Sequence, residues 1–212
     1  LFIMGIDVLT SGNHIWKYKE LYNYLDSRSE KIIRPLNYPN SDMFSTPGLG
    51  YTVVKRGDYE FVVINIMGRT FVQTIDCPFK AVDSVLSKHP LTKNRMIFVD
   101  FHAETTSEKE AMGWYLDGKV TAVFGTHTHV QTADERILHK GTAYITDAGM
   151  CGPMDTVIGV DRDIIIQRFL TQLPIAFKFS DESNLGVNGV CVEADPSTGK
   201  AIKVERILYR EH

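Results

Sequence analysis

Three segments of the chain share one pattern, in which an apolar run long enough for a β-strand is followed closely by polar residues that include histidine. The apolar runs cover residues 6–10, 96–101 and 120–124. In open α/β sheets, ligand sites form beyond the carboxyl ends of the strands. Four of the seven histidines therefore fall where such a site would be built. With one asparagine, the candidate residues are Asn13, His14, His102, His127 and His129.

These residue types are typical of transition-metal sites. Neutral imidazole is the commonest protein ligand for such metals, and asparagine can add a carbonyl oxygen. In an extended segment, His127 and His129 would point the same way, with about 6.5 Å between them. Two metals about 3.5–4 Å apart, as in binuclear enzyme sites, could each take one of these histidines.

The opposing interpretation is purely structural. A single histidine after a strand is more often a hydrogen-bonded polar group than a metal ligand. Its recurrence at three strand ends favours the metal site. His89, His139 and His212 lack this context, and we expect them on the surface.

Several neighbours of the histidines suggest supporting roles. Gly12 and Gly125 would let the backbone approach a crowded site closely. Asp100 and Glu104 flank His102 and could orient its ring by hydrogen bonding. Helix capping or simple solvent exposure explains these two carboxylates equally well.

Elsewhere, short apolar runs alternate with amphipathic stretches, which predicts an α/β fold. The 212 residues are enough for one domain with a buried core. The T-x-x-E sequence that begins at Thr105 is a capping box and predicts a helix start. The predicted helices cover residues 16–27, 78–89, 105–116 and 161–171. The other predicted strands cover residues 51–55, 60–66, 142–146, 189–194 and 201–208, and residues 37–50 form the longest irregular stretch.

Charge and composition argue against some partners. A net charge of −3 and a pI of about 6.2 offer no basic footprint for duplex nucleic acid, whereas a metal site would supply local positive charge for a small nucleotide. No apolar run approaches the roughly 20 residues of a membrane span. Cys77, Cys151 and Cys191 are far apart and form no CxxC pair, so we expect packing roles for them and a cytoplasmic location.

Two short motifs resemble those of calcineurin-like metallophosphoesterases. Residues 12–14, Gly-Asn-His, resemble the GNH motif. Residues 125–129, Gly-Thr-His-Thr-His, resemble the GHxH motif, with threonine in place of its first histidine. Longer segments resemble signatures of the YmdB-like family of bacterial phosphodiesterases, and this resemblance covers essentially the whole chain. These segments are residues 64–70, 98–104, 125–134 and 141–147.

The resemblance implies a four-layer α/β/β/α sandwich with two metals between the strand ends. It implies that Asn13, His102 and His127 bind one metal and that His129 binds the other. His14 would donate a proton or orient the phosphate. The implied reaction is hydrolysis of 2′,3′-cyclic nucleotides or related phosphodiesters through a metal-bridging hydroxide, with iron or manganese as the metals. The resemblance also suggests a homo-oligomer.

The sequence departs from the family pattern at one end. The family also has Gly-Asp and Gly-Glu-Asn motifs that supply carboxylates to the metals, and neither occurs ahead of Asn13. The chain opens on an apolar run at Leu1 rather than on polar residues. We therefore expect residues 1–212 to be a single metallophosphoesterase domain that lacks its N-terminal strand–helix–strand unit and part of the metal site.

Two other functions stay open on the sequence alone. A phosphomonoesterase or nuclease could use the same scaffold, because the motifs fix the phosphoryl chemistry and not the leaving group. A non-catalytic binding or assembly protein could keep the fold after losing its carboxylates. The leading hypothesis is a cytoplasmic, metal-dependent phosphodiesterase.

Overall fold

The computed structural model describes residues 1–27, 31–41, 43, 45–178 and 184–211. A short 3-10 helix, Phe2–Met4, precedes the other elements. The helices are α1 (Glu20–Ser27), α2 (Pro78–Leu86), α3 (Thr106–Leu116) and α4 (Arg162–Thr171). The strands are β1 (Leu9–Thr10), β2 (Ile32–Ile33), β3 (Tyr51–Arg56), β4 (Tyr59–Met67), β5 (Arg95–His102), β6 (Ala122–Thr126), β7 (Arg136–Ile137), β8 (Ala143–Ile145), β9 (Gly152–Pro153), β10 (Leu185–Ala194) and β11 (Ala201–Arg210).

A six-stranded sheet with the order β3-β4-β5-β6-β8-β7 organises the fold. Its four central strands are parallel, and β3 and β7 run antiparallel at the two edges. The central strands are apolar on both faces because both faces are covered. On one face, α2 and α3 pack through Val82 and Leu116. On the other, the hairpin of β10 and β11 packs through Val192 and Val204. The predicted α/β class is confirmed.

The carboxyl ends of the central strands meet at one edge of this sheet. In the strand register, Met67 is paired with His102, and His102 with Thr126. A Cβ atom on Gly125 would overlap the backbone carbonyl of Thr146. The glycine at this position therefore allows the end of β6 to lie against the segment that follows β8. The central strands end at one edge of the sheet, as predicted, and Gly125 allows a close approach of the backbone there, also as predicted.

The prediction of a buried strand over residues 6–10 was wrong. Only Leu9–Thr10 is a strand, and it pairs in parallel with Ile32–Ile33 in a separate two-stranded sheet. The side chain of Ile6 is 38% exposed. An apolar run indicates that a segment tends to be buried, but the strand that pairs with this one, Ile32–Ile33, is only two residues long. The run therefore does not enter the main sheet.

The prediction of a capping box at Thr105 was also wrong, although α3 does begin at Thr106. The hydroxyl of Thr105 is buried and makes no hydrogen bond among the described residues. The carboxylate of Glu108 instead accepts hydrogen bonds from the backbone N–H groups of Arg69 and Thr70, at 3.0 and 3.2 Å. Glu108 thus joins α3 to the segment after β4, a tertiary contact that a local motif cannot reveal.

The remaining elements differ from the predictions mainly at their ends. The hairpin of β3 and β4, the strand β8, the helix α4 and the final hairpin lie where expected. The first helix starts at Glu20 rather than at residue 16, and positions 42 and 44 of the irregular stretch lie outside the described residues. Two cysteines expected to pack, Cys151 and Cys191, are exposed. No helix in the described part of the chain is long and apolar enough to cross a membrane.

We predict that Gly125→Ala lowers the free energy of unfolding by about 1–3 kcal/mol, because the new methyl group overpacks the end of β6. Gly189→Ala in β10 is the matched control, since a Cβ atom there would lie 3.8 Å from Ile207, an ordinary contact. Urea denaturation of both variants measures the difference. An equal loss in the two variants would contradict the close approach at Gly125.

Candidate metal centre

Three of the predicted site residues converge beyond the ends of β5 and β6. The Nε2 atom of His102 lies 3.1 Å from Oδ1 of Asn13 and 3.1 Å from Nδ1 of His127. The two imidazole rings meet edge to face, with centroids 4.7 Å apart. Gly12 makes the approach possible, because a Cβ atom there would overlap the ring of His102. The sequence thus predicted this group correctly as neighbours.

Hydrogen bonds on the outer side of His102 fix which of its nitrogens carries the proton. The hydroxyl of Thr126 donates to Oδ1 of Asp100 at 2.7 Å, so that hydroxyl can only accept from Nδ1 of His102, at 3.1 Å. Nδ1 of His102 is therefore protonated, and its Nε2 presents a lone pair to the group. Asp100 also bonds to the side chain of Thr10. The carboxylate suspected of orienting His102 acts through an intervening threonine.

His127 is fixed in the same way by a different carboxylate. Its Nε2 atom lies 2.9 Å from Oε2 of Glu104 and donates to it. Nδ1 of His127 is left with a lone pair that faces His102. Glu104 was considered as a partner for His102, and in the structure it serves His127 instead.

Burial keeps both imidazoles neutral. Burial, with a further contribution from the neighbouring His127, lowers the pKa of His102 to about 3. Burial also lowers the pKa of His127, while Glu104 partly opposes that shift. Burial raises the pKa of Asp100 to about 6, against the hydrogen bonds from Thr10 and Thr126. A neutral imidazole is the form that can bind a metal.

The spacing of the three converging atoms fits a shared cation. Atoms that bind one metal at about 2.1 Å lie about 3.0–3.4 Å apart in octahedral or tetrahedral geometry. Nε2 of His102 lies 3.1 Å from each of the other two atoms, which falls within this range. Without a cation, three lone pairs would face one another. Among the described residues no three His, Cys, Asp or Glu side chains form such a group, and the third donor here is an amide.

His129 does not join this group, which corrects the expectation that it points the same way as His127. The segment is not extended, because φ is +102° at His127 and +67° at His129. Nδ1 of His129 donates to the carbonyl of Ile158 at 2.9 Å. Its Nε2, on an exposed side chain, makes no hydrogen bond among the described residues. The two side chains do not point the same way, as they would in a strand, because both histidines have positive φ.

His14 lies beside the group without touching it. Its side chain is exposed and makes no hydrogen bond within the described residues, yet it is near enough to help lower the pKa of His102. Of the other histidines, His139 is exposed as expected. His89 is half-buried against Tyr51, and His212 lies outside the described residues.

A buried ion pair behind the histidines was missed by the sequence analysis. Nζ of Lys109 lies 2.7 Å from Oδ2 of Asp147, and each side chain is only 1% exposed. The same oxygen accepts hydrogen bonds from the backbone N–H and the hydroxyl of Thr128, at 3.1 and 2.8 Å. Asp147 follows a predicted strand at the same edge of the sheet, which was the available signal.

Comparison with known proteins adds independent information. The model of a family described as "YmdB-like protein" matches residues 1–207. A 2′,3′-cyclic-nucleotide 2′-phosphodiesterase of Bacillus subtilis is 49% identical over 207 residues, which are 98% of this chain and 76% of that protein.

Two solved structures resemble the chain over nearly all of its length. One is described as a novel phosphatase from Mycoplasma pneumoniae, with a TM-score of 0.89 and 37% identity over 99% of this chain and 74% of that one. The other is a protein of Thermus thermophilus, also with a TM-score of 0.89 and 37% identity, over 100% of this chain and 79% of that one.

We predict that Lys109→Met lowers the free energy of unfolding by about 3–5 kcal/mol, because it leaves the carboxylate of Asp147 buried without a counter-charge. The double variant Lys109→Met/Asp147→Leu should recover part of this loss, since no unpaired charge remains. Chemical denaturation of the single and double variants measures the coupling.

The control for this cycle is Lys203→Met, which removes an exposed ion pair with Glu205. Exposed pairs contribute about 0–1 kcal/mol. If Lys109→Met costs no more than Lys203→Met, the buried pair does not stabilise the edge of the sheet as described.

Proposed function

Because the chain belongs to the YmdB-like family, we propose that it is a metal-dependent phosphodiesterase that hydrolyses 2′,3′-cyclic nucleotides or related phosphodiesters. The observation that carries the proposal is the convergence of three atoms, Oδ1 of Asn13, Nε2 of His102 and Nδ1 of His127. The name of the Bacillus subtilis relative supports the substrate class.

In this proposal Asn13, His102 and His127 hold one divalent cation, and the unbonded Nε2 of His129 holds a second. The family is of the metallophosphoesterase type, which generally uses divalent metals. When bound, such cations stabilise negative charge on phosphoryl oxygens. Imidazole and amide donors suit iron or manganese, which we propose as the two metals.

We assign the proton transfer to His14. Its side chain is exposed and free of hydrogen bonds within the described residues, it follows Asn13 in the chain, and it is near enough to His102 to lower the pKa of that residue. Imidazole is the side chain used most often for general acid–base catalysis. From this position His14 can donate a proton to the leaving oxygen or hydrogen-bond to the phosphate.

A phosphomonoesterase is the second candidate, because a related solved structure from Mycoplasma pneumoniae is described as a phosphatase. The same residues would bind the phosphoryl group, and only the leaving group would differ. A non-catalytic protein would need neither the metals nor the neutral imidazoles. Cytoplasmic location, a homo-oligomeric state and indifference to duplex nucleic acid stay predictions.

We predict that His127→Ala, made in the full-length protein, lowers the bound metal and reduces hydrolysis of adenosine 2′,3′-cyclic phosphate by roughly 100-fold or more, as expected when a group that supports the transition state is removed. His139→Ala is the control, because that histidine is exposed and stacks on Trp114 away from the site. Metal analysis and initial rates measure both effects. Full activity in His127→Ala would refute the site, and parallel assays with an adenosine monophosphate would identify a monoesterase.

We further predict that Thr126→Val weakens metal binding by about 10–100-fold, because the relay from Asp100 no longer fixes the tautomer of His102. Thr121→Val is the matched control, since it removes a buried hydrogen bond to Gly199 just before β6 begins. Competition with a metal-binding dye measures the affinities. Similar affinities in the two variants would show that the relay does not orient His102.

A further inference from the structure

A cavity of about 540 Å³ is lined by His129 and by other groups that the proposed function does not use. Met150 and Met154, on either side of β9, form part of its wall, and three side chains of β11, Arg206, Leu208 and Arg210, form another part. Its size is in the range of pockets that bind small organic molecules, roughly 300–1,000 Å³. A cavity that begins at a candidate metal ligand is placed to receive the rest of a substrate.

The position of His129 at the wall of this cavity follows from its backbone. The left-handed conformation at His129 turns its ring toward the segment after β8, where the carbonyl of Ile158 accepts its Nδ1 proton. Ile158 itself has φ of +50°, which is rare for a β-branched residue. Two strained residues thus bring His129 and the cavity together, whereas His127 faces the other donors.

The lining is amphipathic in a way that suits a flat heterocycle. Met150, Met154 and Leu208 supply apolar surface, and the methionine thioether makes favourable contacts with aromatic rings. Asn188 provides a polar edge. Its side chain is held by donating to the carbonyl of Met150 at 2.8 Å and accepting from Arg210 at 3.1 Å.

One arginine in the cavity has no carboxylate partner among the described residues. Arg206, Leu208 and Arg210 share one face of β11, because alternate residues of a strand do so. Arg206 is neutralised by Glu135 at 2.8 Å. Arg210 donates to Asn188 and to the carbonyl of Tyr209, and no carboxylate in the described part of the chain forms an ion pair with it. Its guanidinium can stack on a base or donate to the base edge.

A second cavity, of about 430 Å³, fits a substrate less well. It is lined mainly by the apolar side chains of the main sheet, such as Phe61 and Phe98, and its arginine, Arg56, already pairs with Asp7. None of the candidate histidines is among the described residues that line it. A substrate held at the histidines would not reach into it directly.

We propose that the cavity beside His129 is the base subsite of the enzyme, which binds the nucleobase of a nucleoside 2′,3′-cyclic phosphate. This inference rests on the proposed function. In such a substrate the phosphate bridges the 2′ and 3′ oxygens, and the base is attached to the adjacent C1′ carbon. Phosphate and base are therefore neighbours in the substrate, and a phosphate held at His129 would place the base in the cavity that this histidine lines. The methionines contact the faces of the base, and Arg210 contacts its edge or stacks on it.

The test compares two substrates with the same reacting group in the manganese-loaded, full-length protein. One is adenosine 2′,3′-cyclic phosphate, and the other is methyl ribofuranoside 2′,3′-cyclic phosphate, which has no base. The variants are Arg210→Met and Met154→Ala. Lys203→Met is the control, because Lys203 lies on the opposite face of β11 and pairs with Glu193 and Glu205. Circular dichroism and thermal unfolding verify that each variant is folded.

For the nucleotide, we expect each cavity variant to lower kcat/KM by about tenfold or more, mainly through KM, because only ground-state contacts to the base are lost. For the base-free substrate, we expect no change in kcat/KM. Equal losses on both substrates, or no loss on either, would overturn the base subsite while leaving the phosphodiesterase intact. If the wild-type protein hydrolyses neither substrate, the proposed function fails and the subsite with it.

Discussion

The candidate site depends on a buried ion pair between Lys109 of α3 and Asp147, which follows β8. Placing two charges where each side chain is 1% exposed costs several kcal/mol in lost hydration, and only further hydrogen bonds offset that cost. Asp147 obtains them from Thr128 and from the backbone N–H of Gly149, at 2.9 Å. One carboxylate therefore ties together a helix, the segment after β8 and the loop after β6. That loop carries two of the histidines.

The conformation of the loop shows why such an anchor is needed. His127 and His129 both have positive φ, and each such residue costs of the order of 1–3 kcal/mol and persists only where its surroundings enforce the conformation. Thr128 lies between them and is held at its backbone and its side chain by the buried carboxylate. With Thr128 fixed, the histidines on either side diverge. One faces His102 and the other faces the cavity.

These contacts explain which features the sequence could predict. The ends of β5 and β6 could be predicted because an apolar run stops at a polar residue, so His102 and His127 were found together. Asn13 was found with them although the apolar run before it forms only a two-residue strand outside the main sheet. The direction of the His129 side chain could not be predicted from the sequence, since it depends on a backbone angle that tertiary contacts impose. Lys109 was missed because lysine on a helix is nearly always solvated. The exposed start of the chain was misjudged for a related reason, since hydrophobicity does not identify the surface that covers a segment.

Two carboxylates, Asp100 and Glu104, each set the tautomer of one histidine, and they do so in different environments. Asp100 is buried and acts through Thr126, whereas Glu104 is exposed and contacts His127 directly. Each holds a proton on the outer nitrogen of an imidazole, and the inner nitrogen is thereby left as a donor. Burial lowers the pKa of His102 to about 3, so above that pH a proton competes poorly for its inner nitrogen. A cation held by the group would face little proton competition at His102 near neutral pH. Charged groups behind the site, Lys109, Asp147 and Asp100, are thus buried at a cost in hydration energy, and their contacts keep the imidazoles of the site neutral and oriented.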